Sequence, residues 1–296
     1  MSKNYGVILV FLGGICWGFS GVCGEFIFLK KGLNADFLVP LRLLFAGILM
    51  LLFCLVRKIK INFLIFKNTK HLFTLLIFSF FGIFMCQYTY FYGIELSNAA
   101  IATVIQYTAP VFIVLIVCFE QKRFPNIYEI LALICVLCGA FLLSTNGDFN
   151  KFVISTKALI ICFLSSIGAV CYAIIPRKIN MIYSPLPNLG FAMLIAGIAF
   201  CVYQKIWEFE VQIDLELILA MLGVIVVGTT MAFGFFMVGL QEIGASKASL
   251  ISSNEPLAAA IIGYLWLGTS LLIVQIIGFA LIMIGILITM LKKEKS

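Results

Sequence analysis

A single histidine, His71, serves the whole 296-residue chain, and charged side chains make up only 11% of it. A soluble domain carries about 25% charged residues. His71 stands at the start of an apolar segment, where water is expected to reach it, so neither a zinc centre nor a Ser-His catalytic pair is expected. A Walker A lysine loop, the phosphate cradle of ATP-driven pumps, is also missing. So are low-complexity stretches and any loop long enough to hold a soluble domain. These absences argue against an enzyme, a nucleotide-driven pump, a metal and any other cofactor.

What is present is apolar. The chain is 63% hydrophobic, with a mean hydropathy of +1.17. No single core of this size hides that much apolar surface from water. In lipid the conflict disappears, but every backbone polar group must then be paired internally, by helices or closed barrels. Barrel strands alternate apolar and polar residues. Here the apolar runs are continuous over about 20 residues, which predicts helices. The expectation is an all-α integral membrane protein of about ten transmembrane helices. The expected spans are 5–28, 37–56, 72–94, 99–119, 127–144, 157–176, 189–204, 217–240, 245–267 and 271–291. Turn residues such as Asn146-Gly147-Asp148 and Ser184-Pro185-Leu186-Pro187 mark connections. The first apolar run is too long for a signal-peptide core and reads as a helix of the mature protein.

Charge orients the spans. With the N-terminus in the cytoplasm, Lys3, Arg57, Lys58, Lys60, Lys67, Lys70, Lys122, Arg123, Arg177, Lys178, Lys247, Lys292, Lys293 and Lys295 fall inside. Only Lys30, Lys31, Lys151, Lys157 and Lys205 fall outside. The positive-inside rule therefore predicts a cell-membrane protein with both termini cytoplasmic. The same bias explains the net charge of +7, so no nucleic-acid partner is implied. The cysteines, including the mid-span pair Cys135-x-x-Cys138, read as small packing residues.

A fixed shift along the chain lays Gly93, Ala99, Ala102, Ile105, Pro110, Ile130 and Gly139 onto Gly239, Ala245, Ala248, Ile251, Pro256, Ile276 and Gly285. Thr103 falls on Ser249. The repeat predicts two five-helix units, residues 1–148 and 151–296. An odd helix number makes the second unit enter the membrane from the opposite face, giving the two inverted five-helix repeats used by secondary transporters.

Pro110, Glu255-Pro256 followed by Gly263 and Leu267-Gly268, Trp17-Gly18 and Arg42 carry a family likeness over essentially the whole chain. The sequence resembles the drug/metabolite transporter superfamily, in its ten-helix EamA type. After Leu267-Gly268 it departs from the usual Glu-Arg with Thr269-Ser270. The resemblance implies export of amino acids or related metabolites through a central cavity.

Charges inside spans are costly and usually functional, which singles out Glu25, Arg42 and Glu255. Glu25 and Arg42 sit at similar outer depth and are expected to pair, or to form a gate or carboxylate site. Glu255, about 14 Å in from Ser246 at about 1.5 Å per residue, lies near mid-membrane. It is expected to bind the cationic part of a substrate or to couple transport to protons. Thr103, Gln106, Tyr107 and Pro110 share a helix face, as do Ser249, Ser252, Ser253 and Pro256. The prolines are expected to act as hinges or to shape the cavity. Trp17, Ser20, Gln87, Tyr88, Tyr92 and Tyr172 complete the candidate substrate-binding set. An alternative substrate is a quaternary ammonium caged by Trp17, Tyr88, Tyr107 and Tyr172. A different class, a non-transporting membrane subunit or intramembrane enzyme, would need a catalytic constellation that is missing. The expected partners are a small-molecule substrate, the lipid bilayer and protons. Gly14-x-x-x-Gly18 and Ala259-x-x-x-Gly263 are expected to pack helices within the monomer, while Gly278 and Gly285 leave a homodimer face open as an option.

Overall fold

The computed structural model describes residues 3–109, 112, 116, 118–119, 122–145, 154–243, 248, 251–252, 254–269 and 271–292. Among them the secondary structure is helical throughout. The main helices are α1 (Lys3–Lys31), α2 (Ala35–Val56), α3 (Thr69–Leu96), α4 (Ala99–Gln106) and α5 (Ile127–Thr145). They continue with α6 (Thr156–Ile174), α7 (Pro185–Tyr203), α8 (Leu215–Ile243), α9 (Glu255–Leu267) and α10 (Ile273–Lys292). Six stretches are long and apolar enough to cross a membrane: α1 from Tyr5, α2, α3, α6 with its extension to Ile182, α7, and α8 to Leu240. The protein is a multi-pass membrane protein.

Polar side chains start the helices where the sequence changes character. Asn34, Asn98, Ser155 and Asp214 cap α2, α4, α6 and α8 by accepting from backbone N–H groups of the first turn. The stretch Ser184-Pro185-Leu186-Pro187, expected as a connection, is instead the start of α7. Proline fits the first turn because its missing N–H would have no helical partner there.

The helices pair across the two halves of the chain: α1 with α8, α3 with α6, α2 with α7 and α5 with α10. Small residues allow the close approaches. The Gly139 α-carbon faces the Gly278 carbonyl and Ile282, while that of Gly285 faces the Ala132 carbonyl and Val136. Under the sequence shift Ala132 falls on Gly278 and Val136 on Ile282, so each contact mirrors the other. Gly278 and Gly285 thus pack inside the monomer, on α5. Gly190 meets Leu51 and Gly197 meets Leu44 in the same mirrored way between α7 and α2, since Leu44 falls on Gly190 and Leu51 on Gly197.

Two helices carry π-helical segments, Phe78–Phe84 in α3 and Gly223–Met231 in α8. Met85 N–H bonds back to the Phe80 carbonyl and Ala232 N–H to the Val227 carbonyl, the five-residue step of a π turn. The same shift carries Phe78 to Val224 and Phe84 to Thr230, so the two segments are equivalent.

One end of the bundle, where Lys31 lies, is tied between halves. Lys31 Nζ sits 2.6 Å from both Asp214 Oδ2 and Glu216 Oε2. Asp36 Oδ1 accepts from the Tyr88 hydroxyl at 2.7 Å and from Gln204 Nε2 at 2.8 Å. At the other end, where Arg57 lies, His71 Nδ1 is 2.9 Å from the Tyr183 hydroxyl, so the histidine is partnered rather than simply solvated.

Candidate functional site

Two helices break in the middle of the bundle. α4 stops at Gln106, where Tyr107 (φ −66°, ψ −1°) closes its last turn. α9 starts at Glu255, preceded by Asn254 (φ −71°, ψ −13°). Pro256 therefore stands in the first turn of a helix rather than at a kink inside one. Under the repeat shift Thr108 falls on Asn254 and Ala109 on Glu255, so the breaks occupy equivalent places. Backbone freed from helical pairing is tolerated at membrane depth only where it is buried in protein or lines a cavity.

A cavity of about 350 Å³ lies between these breaks. Its wall includes Trp17 and Ser20 of α1, Arg42 of α2, Cys86, Gln87 and Tyr90 of α3, and Gln106, Tyr107 and Ala109 around the α4 break. Ala169, Tyr172, Met193, Phe233, Phe236, Met237, Ser252 and Glu255 complete it. The volume is at the low end of the roughly 300–1,000 Å³ usual for small-molecule sites.

Two opposite charges share this wall. Glu255 is 9% exposed, and its Oε2 accepts from the Tyr107 hydroxyl at 2.7 Å. The same hydroxyl lies 3.1 Å from the Ser252 carbonyl, so Tyr107 bridges the two breaks. Arg42 is 5% exposed, and its position in α2 puts it about 10 Å beyond Ala35 at about 1.5 Å per residue. Its Nε is 3.4 Å from Thr229 Oγ1 in the α8 π segment, and its guanidinium lies 4.7 Å from the Phe91 ring centroid. Among the described residues Nε makes the only hydrogen bond of this guanidinium, and Arg42 lines the cavity.

The expected Glu25–Arg42 pair does not form. Glu25 instead accepts from the Ala99 backbone N–H at 2.8 Å and from the Thr269 hydroxyl at 2.8 Å. It satisfies an orphan donor at the α4 start and anchors the α9–α10 connection. Similar depth brought the two residues to the same level, but different helix faces keep them apart. Thr269, where the sequence departs from the family's usual Glu-Arg, is the residue that holds Glu25.

Of the remaining candidates, Trp17, Ser20, Gln87, Gln106, Tyr107, Tyr172 and Ser252 line the cavity. Tyr88 and Tyr92 do not: Tyr88 binds Asp36, and Lys157 Nζ sits 4.9 Å from the centre of the Tyr92 ring. At about 100° per residue the lining residues Cys86, Tyr90 and Gln87 span one arc of α3, and Tyr88 lies about 100° beyond it. Thr103 is fully buried behind the wall, bonded to the Ala99 carbonyl and to Tyr90. Pro110, Ser249 and Ser253 lie outside the described residues. Sequence reasoning missed Tyr90, whose hydroxyl lies 2.8 Å from Thr103 Oγ1. Its spacing of three from Gln87 was the available signal. Thr229, the Arg42 partner, gave none, because it lies in a π segment.

Comparison with known proteins gives consistent results. Residues 4–145 and 156–291 match the EamA-like transporter family. The chain is 34% identical over 294 residues to the uncharacterized inner membrane transporter YicL of Salmonella typhimurium, covering 99% of this chain and 98% of that one. It is 23% identical over 277 residues to the uncharacterized transporter YetK of Bacillus subtilis, with 91% and 80% covered. A solved structure described only as a crystal structure of a protein matches 100% of both chains at TM-score 0.62 and 16% identity, a likeness of fold alone.

Proposed function

The chain belongs to the EamA-like transporter family, and from that premise we propose that it exports a small zwitterion, an amino acid or close relative, by alternating access. The observation that carries this reading is the placement of Arg42 and Glu255 on one cavity wall without an ion pair between them. A planar guanidinium with both terminal nitrogens unengaged suits a carboxylate. A carboxylate with one oxygen held by Tyr107 and the other without a partner among the described residues suits an ammonium. The aromatic and methionine side chains between them suit an apolar side chain.

Two five-helix halves of opposite orientation, residues 1–148 and 151–296, supply the rocking parts. The reciprocal packing, the paired π segments and the paired helix breaks support this reading. The positive-inside bias puts the Arg57 end and both termini in the cytoplasm. The ties among Lys31, Asp214, Glu216, Asp36 and Gln204 close the outer end, which favours loading from inside. Glu255 carries the coupling: it exchanges the substrate ammonium for a proton between half-cycles. The quaternary-ammonium alternative is disfavoured by Arg42, a cation on the same wall, and by Tyr88, which faces away from the proposed cage.

The test is counterflow in reconstituted vesicles, with apolar amino acids and choline as competing solutes. Wild-type protein should exchange amino acids and not choline. Glu255→Gln, which keeps shape but cannot ionise, should fold and lose transport or its pH dependence. Arg42→Gln should lose affinity for zwitterions. Normal rates and a normal pH profile in Glu255→Gln would show that the residue is structural.

A further inference from the structure

A second cavity, of about 190 Å³, lies at the Arg57 end of the bundle. Its lining includes Phe53, Arg57, Leu186, Gly234 and Met237. Met237 also lines the central cavity, so a single flexible thioether side chain is common to both. The chain fixes Arg57 at the rim. α2 ends at Val56, Lys58 takes a left-handed conformation (φ 53°), and Ile59 N–H returns to the Cys54 carbonyl at 2.8 Å. This closing pattern is the Schellman turn. The Arg57 guanidinium is exposed and has no hydrogen-bond or ion-pair partner among the described residues. Among the described residues it is also the one charged group on an otherwise apolar lining. Gly234 leaves space there, since the nearest atom a β-carbon would meet is Phe53 Cζ at 3.9 Å.

We propose that this second, cytoplasmic-end chamber is an access subsite, in which Arg57 binds the carboxylate of a zwitterionic solute before Met237 admits it to the central cavity. The inference rests on the zwitterion reading above. An unpaired guanidinium at the mouth of an apolar passage orients a net-neutral zwitterion carboxylate-first by a charge–dipole attraction, shorter-ranged than the pull on a net anion and screened by salt. A rim charge of this kind acts on association rate and its salt dependence more than on final affinity. In the central cavity the same carboxylate meets Arg42, so the two arginines form a relay of like chemistry along one path. Lipid phosphate has the same oxyanion chemistry, and the test separates the two sources.

Trp17 lines the central cavity, so its fluorescence reports arrival there. Stopped-flow binding of L-methionine, L-leucine and L-phenylalanine is measured in lipid-free maltoside micelles, with Trp207 and Trp266 replaced by Phe. Arg57→Gln should slow association and dissociation alike, each on the order of threefold to tenfold, with Kd unchanged. Wild-type association should slow with added salt, and that of Arg57→Gln should not. Gly234→Leu, which fills the chamber and favours the helix, should slow both rates without the salt effect. Unchanged rates in Arg57→Gln would overturn the proposal. So would a Kd that rises in step with the slower association, because Arg57 would then belong to the final site. A rate defect that appears only in nanodiscs with anionic lipid would assign the chamber to lipid phosphate and overturn it too. Wild-type protein that binds none of the three amino acids defeats the zwitterion reading itself. Wild-type binding with an indifferent Arg57→Gln defeats only the access subsite.

Discussion

The Tyr107 hydroxyl lies 2.7 Å from Glu255 Oε2 and joins the end of α4 to the start of α9. It is the contact through which the two helix breaks, one in each half, meet across the cavity. Tyr107→Phe keeps the ring and removes the donor. A hydrogen bond to a charged group contributes about 1.5–3 kcal/mol to stability, so the melting temperature in detergent should fall, and counterflow should slow because Glu255 loses the donor that positions it. An equal rate in the variant would mean that Tyr107 only packs.

Glu25 and Arg42 bond to different helices, so their substitutions should act independently. The unfolding effects of Glu25→Gln and Arg42→Ala should add within about 0.5 kcal/mol in the double variant, as for sites without shared partners. A double variant markedly more stable than the sum would revive the ion pair. Glu25→Gln should also weaken the α4 start, and Thr269→Val should reproduce part of that loss.

Gly18 and Gly263 look alike in sequence and differ in surroundings. A β-carbon at Gly18 would lie 2.8 Å from both Ala259 N and the Glu255 carbonyl, backbone atoms that cannot step aside. At Gly263 the nearest atoms are 3.9 Å away. Gly18→Ala should therefore destabilise by about 1–3 kcal/mol through overpacking. Gly263→Ala should be neutral, or stabilising by about 0.5–1 kcal/mol from helix propensity. The melting temperatures of both variants in detergent check this, and equal shifts would refute the packing assigned to Gly18.

Acid should loosen the Lys31 end. Lys31 holds the Asp214 carboxyl below the usual carboxylate range, helped by the Leu217 N–H that Asp214 caps. A carboxyl with a depressed folded-state pKa contributes stability that is present above its unfolded value of about 3.9 and lost as pH falls through the folded value. Asp214→Asn should therefore melt earlier than wild type at neutral pH, and the gap should narrow below about pH 4. A gap that is constant with pH would mean that the cap, not the ionised pair, is what matters.

The helices were legible because lipid demands long apolar runs, and Arg42 and Glu255 stood out because charge is rare in such runs. Their partners were not legible. Depth follows from counting residues, but which face a side chain takes depends on helix rotation, and that misassigned Glu25, Tyr88 and Tyr92. Pro256 was visible as a disruption, yet sequence alone did not show that the helix restarts at Glu255. His71 gained a partner in Tyr183 from another part of the chain, a contact that no local pattern encodes. Of the Ala259-x-x-x-Gly263 pair, Ala259 packs against Gly18 of α1 as the spacing suggested, whereas Gly263 has no equally close neighbour.

The simplest origin of a π turn in an α-helix is the insertion of one residue. Such an insertion turns everything beyond it by about 100° and would ordinarily spoil a packed bundle. Here one lies in α3 and one in α8, at places the repeat shift superimposes. Two separate accidents would each have had to be rescued by compensating changes on the neighbouring helices. If the two halves descend from one doubled five-helix unit, a single insertion made before the doubling needs rescue only once. On the proposed two-repeat reading the π segments are therefore older than the joined chain, in which one of them now sets Thr229 against Arg42.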